Sequence, residues 1–219
     1  MNSTHVRVLF DHIDAQFPER VPPVWSEGWP GESEAALLDA VFSARATYGG
    51  EHSGVRAVVG RWRAHRGESV LDDLEMLACR TDGPDALVPL LGNRQRVPGN
   101  YSTKAAAAAL AARALVDAGC RHSTDIGPTH CAALMSVPGL GARTWELLSA
   151  ALGILDEAAV ARITSFVSDA LDEPVDAASA SHLLHAVAPA LHITVRTLTH
   201  AIVRRSARPS ARVPGESAA

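Results

Sequence analysis

The residues whose types and spacing carry the clearest chemistry are Met135-Ser136-Val137-Pro138-Gly139-Leu140-Gly141-Ala142-Arg143-Thr144-Trp145. Pro138 biases Val137 away from the helical region, while Gly139 and Gly141 permit positive φ and close backbone approach at a tight reversal. A helix is expected to start near Ala142. Its first amides lack intrahelical acceptors and stand at the positive end of the helix dipole, which favours an anion there. The expected chemistry is phosphate binding by the backbone from Gly139 to Thr144, and the phosphate polymer it points to is DNA. An ordinary connector between two helices is the competing reading.

Punctuation and periodicity give the elements that must position this hairpin. Proline and glycine between 18 and 31, with Pro22, Pro23, Trp25, Trp29 and Pro30, predict an irregular packed segment. Leu37, Leu38, Val41, Phe42 and Ala44 form a helical stripe over 32–46, with Ser33 as its cap. Helices are expected over 53–65, through Val55, Val58, Val59 and Trp62; over 69–78, through Leu71, Leu74 and Leu77; and over 85–91, ended by Gly92. A polar loop follows between Gly92 and Tyr101. The alanine-rich stretch 102–118 predicts a long helix, because alanine loses least entropy in one. Further helical patterns cover 128–136, 143–152, 156–171, 177–187 and 194–204. Nothing alternates with period two for long, so an all-α fold with short connections is expected. From Arg204 onward, Arg205, Arg208 and Arg212 among proline and serine read as a solvated, disordered tail.

With 219 residues, 47% of them hydrophobic, the chain can bury a sizeable core without staples. Cys79, Cys120 and Cys131 are scattered and odd in number, which suits a reducing cytoplasm better than a disulfide framework. No signal-peptide pattern opens the sequence, and no uncharged apolar run is long enough to span a bilayer, so a soluble, cytoplasmic protein is expected. A net charge of −4 argues against a broadly basic nucleic-acid binder, so any DNA site must be local. Arginine supplies almost all the positive charge; Lys104 is the sole lysine. The histidines, among them His5, His12, His182, His185, His192 and His200, lack the spacing of a metal site and read as solvated or packed imidazoles.

The helix order and the hairpin together resemble the helix-hairpin-helix (HhH-GPD) DNA glycosylase superfamily, in its endonuclease III-like branch. Val137-Pro138-Gly139-Leu140-Gly141 is similar to the family's Leu-Pro-Gly-Val-Gly hairpin. Phe42-Ser43-Ala44-Arg45-Ala46-Thr47 resembles its early helix ending in Ser-Ala-Gln-Ala-Thr, and Tyr101-Ser102-Thr103-Lys104-Ala105 its Tyr-Asn-Ser-Lys-Ala helix start. The resemblance implies two helical lobes: a six-helix barrel over 50–152, with the helix-hairpin-helix at about 128–152, and a second lobe from 1–49 and 153–206, followed by a tail over 207–219. It also implies duplex DNA in the cleft between lobes, with a target base flipped out of the stack. Arg45 then stands where a glutamine fills the gap left by that base, and Asn100 or Tyr101 approaches the opposite strand. The backbone carbonyls of Met135, Val137 and Leu140 resemble those that hold a monovalent cation beside the bound phosphate.

Two departures bear on chemistry. Where bifunctional members carry a nucleophilic lysine, Arg143 stands; a guanidinium keeps its proton and cannot form the Schiff base, so the change removes the covalent chemistry and retains a charge expected to grip one phosphate together with the amides of Gly141 to Thr144. Lys104 cannot substitute, and it reads as a solvated first-turn lysine. The family's aspartate falls on Val160, or on Ala161 after a one-residue shift, and neither offers a charge to stabilise an oxocarbenium-like state. Asp156 reads as the cap of the helix over 157–171, with a catalytic role as the competing reading. No cysteine follows Cys131, so the endonuclease III iron-sulfur cluster is not expected. Trp145, in line with Leu148 and Leu152, reads as core. The leading expectation is a DNA-binding protein of base-excision repair that recognises damaged or distorted DNA without the standard lysine and aspartate chemistry. The alternatives are a monofunctional N-glycosylase for alkylated bases, with Asp156 as its acid, and a protein-interaction module without DNA binding.

Overall fold

A computed structural model describes residues 3–18, 26–46, 48–49, 52–80, 83 and 85–205. Pro22, Pro23, Trp25, Thr47, Arg208, Arg212 and the tail over 207–219 lie outside the described residues. The fold is all-α: α1 Ser3–Gln16, α2 Ser33–Phe42, α3 Gly54–Arg66, α4 Glu75–Ala78, α5 Val88–Leu91, α6 Lys104–Asp117, α7 Cys131–Met135, α8 Ala142–Leu152, α9 Glu157–Leu171, α10 Ala177–Val187 and α11 Val195–Arg205. Short 3₁₀ turns occupy Ser123–Asp125, Pro128–His130 and Ala188–Leu191.

Local chemistry sets many of these boundaries. Asp156 caps α9 by accepting the Ala159 amide at 2.8 Å, and Asp176 caps α10 through Ser179 at 2.7 Å. Thr103 caps α6, where small side chains at Ala105, Ala107, Ala108, Ala111 and Ala112 are all buried. Gly92 and Gly153, in the left-handed region, end α5 and α8. α1 begins a few residues into the chain, a helix that the sequence reading did not assign, and seals Leu9 and Ile13 into the interior.

Several expected helices come out differently: that over 85–91 shrinks to α5, and that over 128–136 breaks into the 3₁₀ turn Pro128–His130 and α7. Ser33 does not cap α2; its amide donates to Asp72 Oδ1 at 3.0 Å, so the cap comes from a distant segment. The expected helix over 69–78 shrinks to α4. The amides of Leu71 and Asp73 go to Glu32 Oε2 and Glu34 Oε1, both at 3.0 Å, so they are not available to a helical ladder, although Leu71, Leu74 and Leu77 are buried as the pattern required.

Buried side chains form two clusters. The larger joins α2 through α8 and centres on α2, every residue of which is buried. The smaller joins α1, α9, α10 and α11. α2 packs within the larger cluster, enclosed by α3, α6 and α8, and Ala150 of α8 reaches into the smaller one. The charges this encloses are paired. Glu34 accepts Trp62 Nε1 at 2.6 Å and Arg66 Nε at 3.2 Å; Asp39 accepts Trp29 Nε1 at 2.7 Å and pairs with Arg204 at 2.5 Å. Burial works to raise the Asp39 carboxyl, but Arg204 and the other donors prevail and hold it below the usual carboxylate range.

Candidate nucleic-acid interface

The hairpin between α7 and α8 is a surface feature on an apolar footing. Leu140 donates its amide to the Val137 carbonyl at 3.0 Å, across Pro138 and a Gly139 with φ +88°. Proline second and a positive-φ glycine third define a type II turn. Val137 and Leu140 are buried and anchor it, whereas Pro138 and Gly139 are exposed. Gly141 then caps α8 in an extended conformation, and its carbonyl accepts Thr144 at 2.8 Å and Trp145 at 3.2 Å. With no cap side chain to turn inward, the amides of Ala142 and Arg143 meet no acceptor among the described residues.

A second turn of the same kind lies against the first. In Val97-Pro98-Gly99-Asn100, the Asn100 amide donates to the Val97 carbonyl at 3.0 Å, and Gly99 has φ +75°. The two turns touch: a Cβ on Gly139 would lie 2.4 Å from Val97 Cγ1 and 3.5 Å from Asn100 Cβ. Close packing of the turns thus requires glycine at 139 for space as well as for conformation. The repeated Val-Pro-Gly was legible in the sequence as a signal that the loop after Gly92 shares the geometry of the hairpin. Beside it, Tyr101 is 90% exposed.

Lys104 ties this ridge to the end of α2. It is 2% exposed, a correction to its reading as a solvated lysine, and its ammonium donates to the carbonyls of Phe42 at 3.0 Å and Ala44 at 2.7 Å and to Gln95 Oε1 at 3.0 Å. Burial alone lowers its pKa. The carbonyls left over at the end of α2 supply its acceptors, an arrangement the spacing of residues along the chain does not display. The next residue after Ala44 is Arg45, exposed and with φ +50°. Arg94 and Arg96 flank Gln95 and are exposed, and none of these three arginines forms an ion pair among the described residues. Arg94 and Arg96 are the site residues that the sequence reading passed over.

Arg143 is placed elsewhere. Its guanidinium donates to the Val203 carbonyl at 2.6 Å and pairs with Glu146 at 2.7 Å, and Glu146, 3% exposed, also takes Arg162. α11 therefore fills the space beside Arg143. One residue further along it, Arg204 pairs with Asp39, donates to Ser43 Oγ at 2.8 Å and stacks 3.4 Å above the Tyr48 ring. Asp156 serves as the α9 cap, Val160 is partly buried, and Ala161 is exposed. Trp145 is core, as expected. The Met135 and Leu140 carbonyls have no donor among the described residues, whereas that of Val137 accepts the turn amide.

A family model matches residues 8–207, and the chain belongs to that family, a domain of unknown function (DUF8548). No curated protein matches the chain, and neither does any solved structure. No single helix among the described residues is long and apolar enough to cross a membrane.

Proposed function

We propose that this protein binds double-stranded DNA, damaged or distorted, through the paired turns, in the manner of the helix-hairpin-helix glycosylases it resembles, and does so without excising a base. One observation carries the reading: the acceptor-free amides of Ala142 and Arg143 sit behind an exposed Pro-Gly turn that packs directly on a second one. Phosphate on those amides places Arg94 and Arg96 along the backbone and Tyr101 and Asn100 against the bases, while Arg45 probes the gap in a disturbed duplex. The Met135, Val137 and Leu140 carbonyls are oxygen donors of the kind a monovalent cation takes, and such an ion would add positive charge beside the phosphate.

We read excision as absent because Val160 and Ala161 put hydrocarbon where the family's aspartate falls, and because Arg143 is held by Glu146 and the Val203 carbonyl. Excision of a flipped base needs a group to stabilise the departing charge, and hydrocarbon supplies none. The side chain of Arg143, tied to Glu146 and Val203, has no part in the phosphate contact. Free thiols at Cys79, Cys120 and Cys131 support a reducing compartment, and we place the protein in the cytoplasm, on the nucleoid.

Fluorescence anisotropy with a labelled duplex bearing an abasic-site analogue tests the proposal. Binding should weaken with salt at a log-log slope of about −2, one unit for each of the two arginines set on phosphates. Binding absent at low salt, or indifferent to salt, rejects it. Alkaline cleavage after incubation with alkylated duplex should show no base release; release that Asp156→Asn abolishes would establish the glycosylase reading instead.

A further inference from the structure

A cavity of about 570 Å³ opens between α9, α10, α11 and the C-terminal end of α8. That volume is in the range of small-molecule sites. Val160, Ile163, Leu184 and Val195 give it an apolar stretch of wall, and Thr164, Ser181, His185 and Thr199 add polar groups. Arg196 lies in its wall. The guanidinium donates to two backbone carbonyls, Leu152 at 2.5 Å through Nη2 and Glu27 at 3.3 Å through Nε. No carboxylate comes within ion-pair distance of it among the described residues; that of Glu27 accepts the Thr194 hydroxyl at 2.9 Å. Room for the guanidinium depends on Gly153, where a Cβ would sit 2.2 Å from Nη2. The Arg196 cation thus stands beside an apolar stretch of wall, held by neutral dipoles, and Nη1 has no acceptor among the described residues. An anionic group gains a charge-assisted hydrogen bond there, and an attached hydrocarbon gains burial along the lining.

We propose that this cavity binds a monocarboxylate with an aliphatic body, its carboxylate on Arg196 and its chain along Val160, Ile163, Leu184 and Val195. Neither the DNA reading nor the paired turns enter this assignment. Calorimetry with decanoate, decanol and decyltrimethylammonium tests it. Decanoate should bind at one saturable site and the cationic analogue should not bind. Arg196→Gln, which removes the charge and keeps a donor near the Nε position for the Glu27 carbonyl, should weaken decanoate by about tenfold or more and leave decanol unchanged. Thr164→Trp, which fills the cavity from α9, should abolish both. Methyl NMR of the wild-type protein guards against misfolded variants: decanoate should shift the signals of Val160, Ile163, Leu184 and Val195. Failure of decanoate to bind, equal affinity for decanol and decanoate, or unmoved methyl signals each overturns the proposal.

Discussion

Lys104 donates to the carbonyl of Ala44 at 2.7 Å, so the only lysine of the chain joins the start of α6 to the end of α2. Replacing it by methionine keeps the stem and strands the Phe42 and Ala44 carbonyls. Lys104→Met is expected to lower stability by about 1–3 kcal/mol, read as a lower denaturant midpoint at unchanged slope. DNA affinity should fall as well, because Arg45 and Gln95 lose their common tether.

Arg94 and Arg143 should separate cleanly. Arg94→Ala or Arg96→Ala is expected to reduce the salt slope of DNA binding by about one unit and to leave stability within about 0.5 kcal/mol. Arg143→Ala should do the reverse, costing about 1–3 kcal/mol by stranding the Val203 carbonyl and thinning the ion pair at Glu146, with the slope unchanged. Anisotropy across a salt series and urea denaturation of each variant supply both readings.

At Gly139 the turn has no slack. Gly139→Ala places a methyl 2.4 Å from Val97 Cγ1 on a backbone with φ +88°. The expected cost is about 1–3 kcal/mol, together with loss of DNA affinity. Gly99→Ala meets nothing within 4 Å and carries the conformational penalty only, so it should be the milder change.

His200 makes stability depend on acid. Buried at 3% exposure and with Nδ1–H donating to the Ser26 carbonyl at 2.8 Å, its imidazole is pushed from the ordinary 6.5 down to about 4; Asp39 opposes the burial and Arg204 reinforces it. The unfolded chain therefore binds the proton first as pH falls, and stability declines between about pH 6.5 and 4, by about 3 kcal/mol in all from this group. Urea denaturation at pH 7.5 and 4.5 should show a smaller decline in His200→Gln than in the wild type.

Elements governed by neighbouring residues were legible in the sequence. The cap Asp156 with an apolar period behind it, and the helical pattern over 177–187, gave α9 and α10 within a residue. Elements governed by distant groups were not. Leu71, Leu74 and Leu77 share the spacing of a helix, yet carboxylates from residues 32 and 34 capture the amides that a helix would need. The glycine hairpin was evident, and its partner turn was overlooked although both read Val-Pro-Gly. Arg143 illustrates a mixed case: Glu146 three positions on is a pairing visible in sequence, but the Val203 carbonyl arrives from 60 residues away.

α11 supplies the cation for Asp39 and the carbonyl for Arg143, and it is among the last parts of the described chain to be synthesised. A nascent polypeptide on the ribosome thus carries an enclosed-to-be carboxylate on α2 with no counter-charge until Arg204 has emerged. Enclosing Asp39 in the larger core without α11 strands an anion, so closure of that core and docking of α11 form one cooperative event.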